Sequence, residues 1–212
     1  YDQMAWEGQH HSLLAQPDML DQCVSCYTFS KSFSMSGWRL GYAVSSERII
    51  NMIAKLTNST LSCIPPFVQI AGAAALNKDR SQRDEYMAEF KERTVSLATK
   101  LNQLDGVNCL IPGGTFYVFP NVAEICNRHG ITSHGLALYL LKGADDNFGI
   151  ACLGGECFGD AGHGFIRFST AEPPELIQEA LDFLPVAWNN EERIQAFLAD
   201  NPKYQLEVPY AV

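Results

Sequence analysis

A lysine follows directly on a run of β-forming residues, with hydroxyls on both sides and an arginine eight positions on. The stretch reads Thr28-Phe29-Ser30-Lys31-Ser32-Phe33-Ser34-Met35-Ser36-Gly37-Trp38-Arg39-Leu40-Gly41-Tyr42. Hydroxyls donate neutral hydrogen bonds and a guanidinium donates a charged, bidentate pair, so Thr28, Ser30 and Arg39 suit a phosphate. An amine held near another cation gives up its proton more readily and becomes a usable nucleophile. These are the parts for a Schiff base between Lys31 and an aldehyde cofactor that carries a phosphate. A lysine chosen blind is far more often a solvated loop residue; the spacing singles out Lys31.

Two further segments are punctuated by glycine without an obvious packing purpose. Pro112-Gly113-Gly114-Thr115-Phe116-Tyr117 reads as a tight turn between strands. In Phe158-Gly159-Asp160-Ala161-Gly162-His163-Gly164-Phe165-Ile166-Arg167-Phe168-Ser169 the notable residue is Arg167, whose planar guanidinium matches a carboxylate bidentately. The competing reading is a strand arginine paired to a surface acid. His163 reads as a loop residue rather than a catalyst. The glycines form neither GxGxxG nor a Walker loop, so nucleotide binding is unsupported.

Lys and Arg number 15 against 24 Asp and Glu, a net charge of −9. An acidic chain without a basic cluster is a poor partner for nucleic acid or an anionic membrane. No apolar run reaches the ~20 residues that span a bilayer. Seven cysteines, mostly in apolar runs, point to free, partly buried thiols in a reducing compartment, hence the cytoplasm. Cys23 and Cys26 form a single CxxC in a strand-like stretch. Zinc wants a second pair and redox chemistry wants a helix N-terminus, so two packed strand cysteines are expected and no metal. The chain opens Tyr1-Asp2-Gln3-Met4, with neither an initiator Met nor an apolar signal segment, so the natural start is expected upstream.

These residues need elements to position them. At 212 residues, of which 47% are hydrophobic, the chain has material for one sizeable domain, or one domain and part of another. Cys23–Phe29 predicts a buried strand and Trp38–Ser45 a second. Helices are predicted over Arg48–Asn58, capped by Ser45 or Ser46, and from Pro65-Pro66 to Leu76. In Arg80–Leu104, residues Met87, Phe90, Thr94, Leu97, Leu101 and Leu104 repeat at 3-4-3-4-3 spacing, which places them on one helix face. Short strands are predicted at Val107–Ile111, Thr115–Phe119, Gly149–Leu153 and Gly164–Ser169. Helices are predicted at Ser133–Lys142, Pro174–Trp188 and Glu191–Ala199, then a tail over Asn201–Val212. The fold class is α/β, with a long helix bridging a first portion and a second, smaller one.

Ser30-Lys31-x-x-x-Met35-x-Gly37-Trp38-Arg39-x-Gly41-Tyr42 resembles the cofactor-lysine signature of the class I/II aminotransferases, fold-type I enzymes that depend on pyridoxal 5'-phosphate. Thr28 stands where that family usually has Ser or Gly, and keeps a hydroxyl. Pro112–Tyr117 resembles the family's PGG-x-F/Y turn, and Gly159-x-x-Gly162-x-Gly164-x-x-Arg167-x-Ser169 its closing motif. Tyr1-Asp2-Gln3-Met4-Ala5-Trp6-Glu7-Gly8 resembles the stretch after the family's Asp-x-x-Tyr motif.

The resemblance covers essentially the whole chain, but only the C-terminal half of a family member. It implies the end of a large cofactor-binding domain, a sheet flanked by helices, over residues 1–78. A bridging helix over 79–106, a small α/β domain of the aspartate-aminotransferase type over 107–190 and a terminal helix and tail over 191–212 would follow. It implies Lys31 as Schiff-base lysine, with Thr28, Ser30 and Arg39 on the phosphate, Tyr1 on the cofactor ring oxygen and Arg167 on the substrate α-carboxylate. It also implies amino-group transfer between an amino acid and a 2-oxo acid, in a homodimer. Two alternatives stay open. One is another fold-type I reaction, C–S lyase or cyclopropane-forming (ACC-synthase-like). The other is an inactive fragment lacking the first half of the site.

Overall fold

The structure, a computed structural model, describes residues 3–78 and 80–212. Tyr1, assigned above to the cofactor ring, lies outside the described residues. Two compact units divide the chain, Tyr1–Met87 and Ala88–Val212.

In the first unit, strands β1 (Ser25–Thr28) and β2 (Gly41–Val44) pair antiparallel, Ser25 opposite Val44 and Thr28 opposite Gly41. The buried strand predicted over Cys23–Phe29 is shorter and half uncovered, with Cys26 and Thr28 exposed. Among the described residues β1 pairs only with β2, and a two-stranded ribbon leaves a face open. Cys26 is therefore not the packed thiol its sequence context predicted.

Helix α1 (Glu47–Thr60) starts behind Ser46, whose backbone is extended and whose carbonyl accepts from Ile50 N. Helix α2 (Pro66–Asn77) opens on proline, which suits a first turn because that N–H has no helical partner. A small core joins Phe29, Met35 and Leu40 to Val68 of α2. Gly72 of α2 allows this approach: a Cβ there would collide with the Leu40 side chain and come within 3.3 Å of Phe29.

Helix α3 covers Ser81–Leu101, three residues short of its predicted end. The chain tightens there to three-residue bonds, Leu104 N to Leu101 O and Val107 N to Leu104 O, and turns at Gly106 with φ +72°. Along the predicted face, Thr94, Leu97 and Leu101 are buried.

The second unit holds a three-stranded antiparallel sheet in the order β3 (Tyr117–Val118), β5 (Ile166–Ser169), β4 (Leu153–Gly154). Helices α4 (Ala123–His129), α5 (Ser133–Lys142), α6 (Pro174–Trp188) and α7 (Glu191–Asp200) pack with it. Val118, Ile125, Leu136, Leu140, Ile166 and Ile194 are almost fully enclosed. Each contributes roughly 1.5–3 kcal/mol in removing its side chain from water. Tyr139 is equally enclosed, and its hydroxyl donates to Ala187 O at 2.9 Å.

Two predicted strands are not strands. In Val107–Ile111 the amide and carbonyl of Cys109 bond to the Asn102 side chain at 2.8 and 2.6 Å, and only Asn108 forms a bridge, to Asn121. A side chain satisfies the backbone that a ladder would have satisfied. In Gly149–Leu153 only Leu153 pairs, because Ile150 N donates to Leu140 O and Gly149 lies against the Leu141 carbonyl at the end of α5. The predicted tail is docked in part. Tyr204 O accepts from Thr132 N, Leu206 N donates to Gly130 O, and Asn127 bonds both backbone groups of Tyr210. No helix among the described residues is long and apolar enough to cross a membrane.

Candidate functional site

The lysine loop is tied at its neck and pinned by apolar residues. Phe29 N donates to Leu40 O at 3.2 Å, which extends the β1–β2 ladder by one bond. Inside it, Met35 N donates to Phe29 O and Ser34 N to Lys31 O, so residues 31–34 form a tight turn. Phe29, Met35 and Leu40 point into the core on α2, and Phe33 packs on Phe29 with ring centroids 5.3 Å apart. With Phe29, Met35 and Leu40 committed inward, Lys31 and Arg39 stand exposed, as do Ser34 and Ser36.

Ser30 and Arg39 are the first residues inside the Phe29–Leu40 closure, one on each arm. Thr28 Oγ1 donates to Ser30 Oγ at 2.9 Å and accepts from Ser30 N at 3.1 Å. Arg39 Nη1 donates to Ser36 O at 2.8 Å, which uses one of the guanidinium's five N–H groups. The fold thus places two adjoining hydroxyls on one arm of the loop neck and Arg39 on the other. That donor set fits a phosphate, which takes neutral and charged hydrogen bonds together.

Arg167 lies on β5, in the second unit. Its guanidinium carbon sits 4.2 Å from the Tyr117 ring centroid and 4.9 Å from that of Phe158. Phe158 is held in turn by Phe119, edge to face at 5.7 Å. A planar cation stacked on aromatic faces keeps its N–H edge available for a planar anion. Among the described residues no carboxylate is in ion-pair contact with Arg167. The guanidinium borders a pocket of about 660 Å³, together with Leu110, Pro112, Tyr117, Phe119 and Phe165. Its walls are mostly apolar and Arg167 is its cation.

Glu156 was not singled out by sequence. Its Oε1 accepts from Ser133 Oγ, His134 N and Tyr210 Oη at 2.7, 3.0 and 2.9 Å. Burial works to raise its carboxyl, but these bonds outweigh it and hold the group below the usual range. No spacing rule could have found it, since its partners come from two distant parts of the chain, residues 133–134 and residue 210. Among the described residues no group of three or more His, Cys, Asp or Glu could hold a metal ion.

Residues 1–184 match the profile of the family described as aminotransferase class I and II. The chain belongs to this family. An aspartate aminotransferase of Sulfolobus acidocaldarius is 31% identical over 182 residues, 85% of this chain and 44% of that protein. An aromatic-amino-acid aminotransferase 2 of Thermococcus litoralis is 29% identical over 185 residues, 86% of this chain and 45% of that protein. The crystal structure of an aromatic aminotransferase from Pyrococcus horikoshii superimposes with a TM-score of 0.76 at 29% identity, covering 95% of this chain and 50% of that one. The fold is that of the aspartate-aminotransferase type. The chain spans about half the length of the curated relatives it matches.

Proposed function

We propose that this chain supplies the lysine-bearing and carboxylate-binding parts of a pyridoxal-phosphate-dependent aminotransferase, which moves an amino group between an L-amino acid and a 2-oxo acid. The observation that carries the reading is the family lysine pattern, set in a loop whose neck carries Thr28 and Ser30 on one arm and Arg39 on the other. When bound, the cofactor supplies a reactive aldehyde and an electron-withdrawing ring. Lys31 would hold the cofactor through its amine, and the same amine, when free, would take the proton from the substrate Cα. Thr28, Ser30 and Arg39 bind the phosphate, and Arg167 receives the substrate α-carboxylate on its open edge. The family resemblance supports a homodimer. Seven free cysteines support a reducing, cytoplasmic setting.

Borohydride reduction of the whole protein loaded with pyridoxal phosphate, followed by peptide mapping, tests the central assignment. The tag is expected on Lys31. A tag on Lys55 or Lys142 would overturn it.

A further inference from the structure

We propose that the strap over residues 201–210 is a positioning device for the substrate arginine, acting through Tyr210 and Glu156. The family match ends at residue 184, and the strap lies beyond it. The proposal rests on the reading of Arg167 as the carboxylate-binding residue.

The N-terminus of α5 shows how the strap is connected. A helix start leaves its first N–H groups without helical partners. Here each is matched: Thr132 N donates to Tyr204 O, Ser133 N to Tyr210 Oη, His134 N to Glu156 Oε1 and Gly135 N to Thr132 Oγ1. Two of the four acceptors belong to the strap. Glu156 is also well placed electrostatically, because a carboxylate is favoured at a helix N-terminus.

The same point ties down both ends of the loop before Arg167. At the near end, Glu156 is two residues before Phe158, whose ring packs on the Arg167 guanidinium at 4.9 Å. At the far end, Gly164 N donates to Ser133 Oγ at 2.9 Å, and that hydroxyl donates to Glu156 at 2.7 Å. Gly164 is three residues before Arg167. It lies at φ +80°, and a Cβ there would come within 3.3 Å of the Tyr210 ring. The Tyr210 ring also meets His163 edge to face at 5.8 Å. The Tyr210 hydroxyl, accepting from Ser133 N and donating to Glu156, is therefore the junction of strap, helix and loop. Asn127 on α4 fixes the strap at that height through the Tyr210 amide and carbonyl, at 2.8 and 3.0 Å.

Tyr210→Phe removes the two hydroxyl bonds and keeps the ring. Asn127→Ala removes the two bonds that hold the Tyr210 backbone while leaving the Glu156 carboxylate and the Tyr210 hydroxyl chemically intact. Both variants of the whole protein are to be compared with wild type by amide hydrogen exchange and by steady-state kinetics. Exchange over residues 155–165 should quicken at least about tenfold, because each variant loses two such bonds, while residues 25–44 stay unchanged. KM for the amino acid and for the oxo acid should both rise several-fold, with kcat within twofold of wild type. A strap that is only structural would move exchange and leave KM alone. Unchanged exchange over 155–165 in both variants, or quickened exchange with unchanged KM, overturns the proposal. A wild-type protein without transamination would overturn the functional reading instead, and exchange alone would then decide whether the strap holds the loop.

Discussion

Thr94 and Thr170 form a buried hydroxyl pair whose removal has a calculable signature. Both side chains are fully enclosed, and their oxygens lie 2.9 Å apart. The Thr170 hydroxyl has one proton and gives it to Phe116 O at 3.0 Å, so Thr94 must be the donor within the pair. Thr170→Val conserves shape but leaves the Thr94 proton without its acceptor in a dry site, which costs about 1–3 kcal/mol. Phe116 O keeps the backbone bond from Thr170 N at 2.9 Å, and Thr94 can turn back to a helix carbonyl. Both effects bring the figure to about 2 kcal/mol or less. Thr94→Val removes only the donor and leaves Thr170 bonded to Phe116, for about 0.5–1.5 kcal/mol. The double variant replaces both partners with apolar groups of like shape and should recover part of the loss.

The assay is native-state hydrogen exchange of the β5 amides, where about 1.4 kcal/mol reads as tenfold. Exchange should quicken up to about thirtyfold in Thr170→Val and about fivefold in Thr94→Val, with the double variant slower than Thr170→Val. A double variant at the sum of the singles, or Thr94→Val as the worse single, would refute the donor assignment.

The remaining expectations concern the site. Arg39→Ala should weaken retention of pyridoxal phosphate, whereas Arg167→Ala should keep the cofactor and raise KM for both substrates; each loss is about 2–5 kcal/mol, and the reverse pattern would exchange the two roles. Gly72→Ala overpacks Leu40 and Phe29 by about 1–3 kcal/mol, so both the melting temperature and cofactor retention should fall, and a variant unchanged in both would show that the loop is not anchored on α2. Glu156 has a carboxyl held below its ordinary value, so its share of stability is present above about pH 4.5 and disappears as pH falls through the lowered pKa. The melting-temperature gap between wild type and Glu156→Gln should therefore be widest near neutral pH and close on acidification; a constant gap would mean that the charge contributes nothing.

Much of this architecture is legible along the chain because it is local. Helix α5 and helix α6 have the predicted bounds, since a cap or a proline marks the start and the apolar period marks the face. The three glycine-punctuated segments stand out for a similar reason: cations and hydroxyls on a turn have no packing role to hide them. What is not legible is decided by distant partners. Leu110 and Ile111 look like strand residues, yet they lie exposed because Asn102 had already taken the backbone of Cys109. Helix α4 is only seven residues long, too short to show a period, although Asn121 before it and Gly130 after it are its stops. Glu156 and Tyr210 are 54 positions apart, and neither has a neighbour that announces the other.

The backbone at Arg39 is left-handed, with φ 51° and ψ 45°. Any residue with a Cβ is held there at a disadvantage of about 1 kcal/mol relative to glycine. The conformation follows from the turn that brings Leu40 back over the core, so it is imposed whatever side chain stands at 39. The fold therefore favours glycine at the position where the proposed phosphate contact requires a guanidinium. In a library sorted by heat resistance Arg39→Gly should accumulate, and in one sorted by turnover it should vanish. If Arg39 holds the phosphate as proposed, stability and activity select opposite residues at this one site.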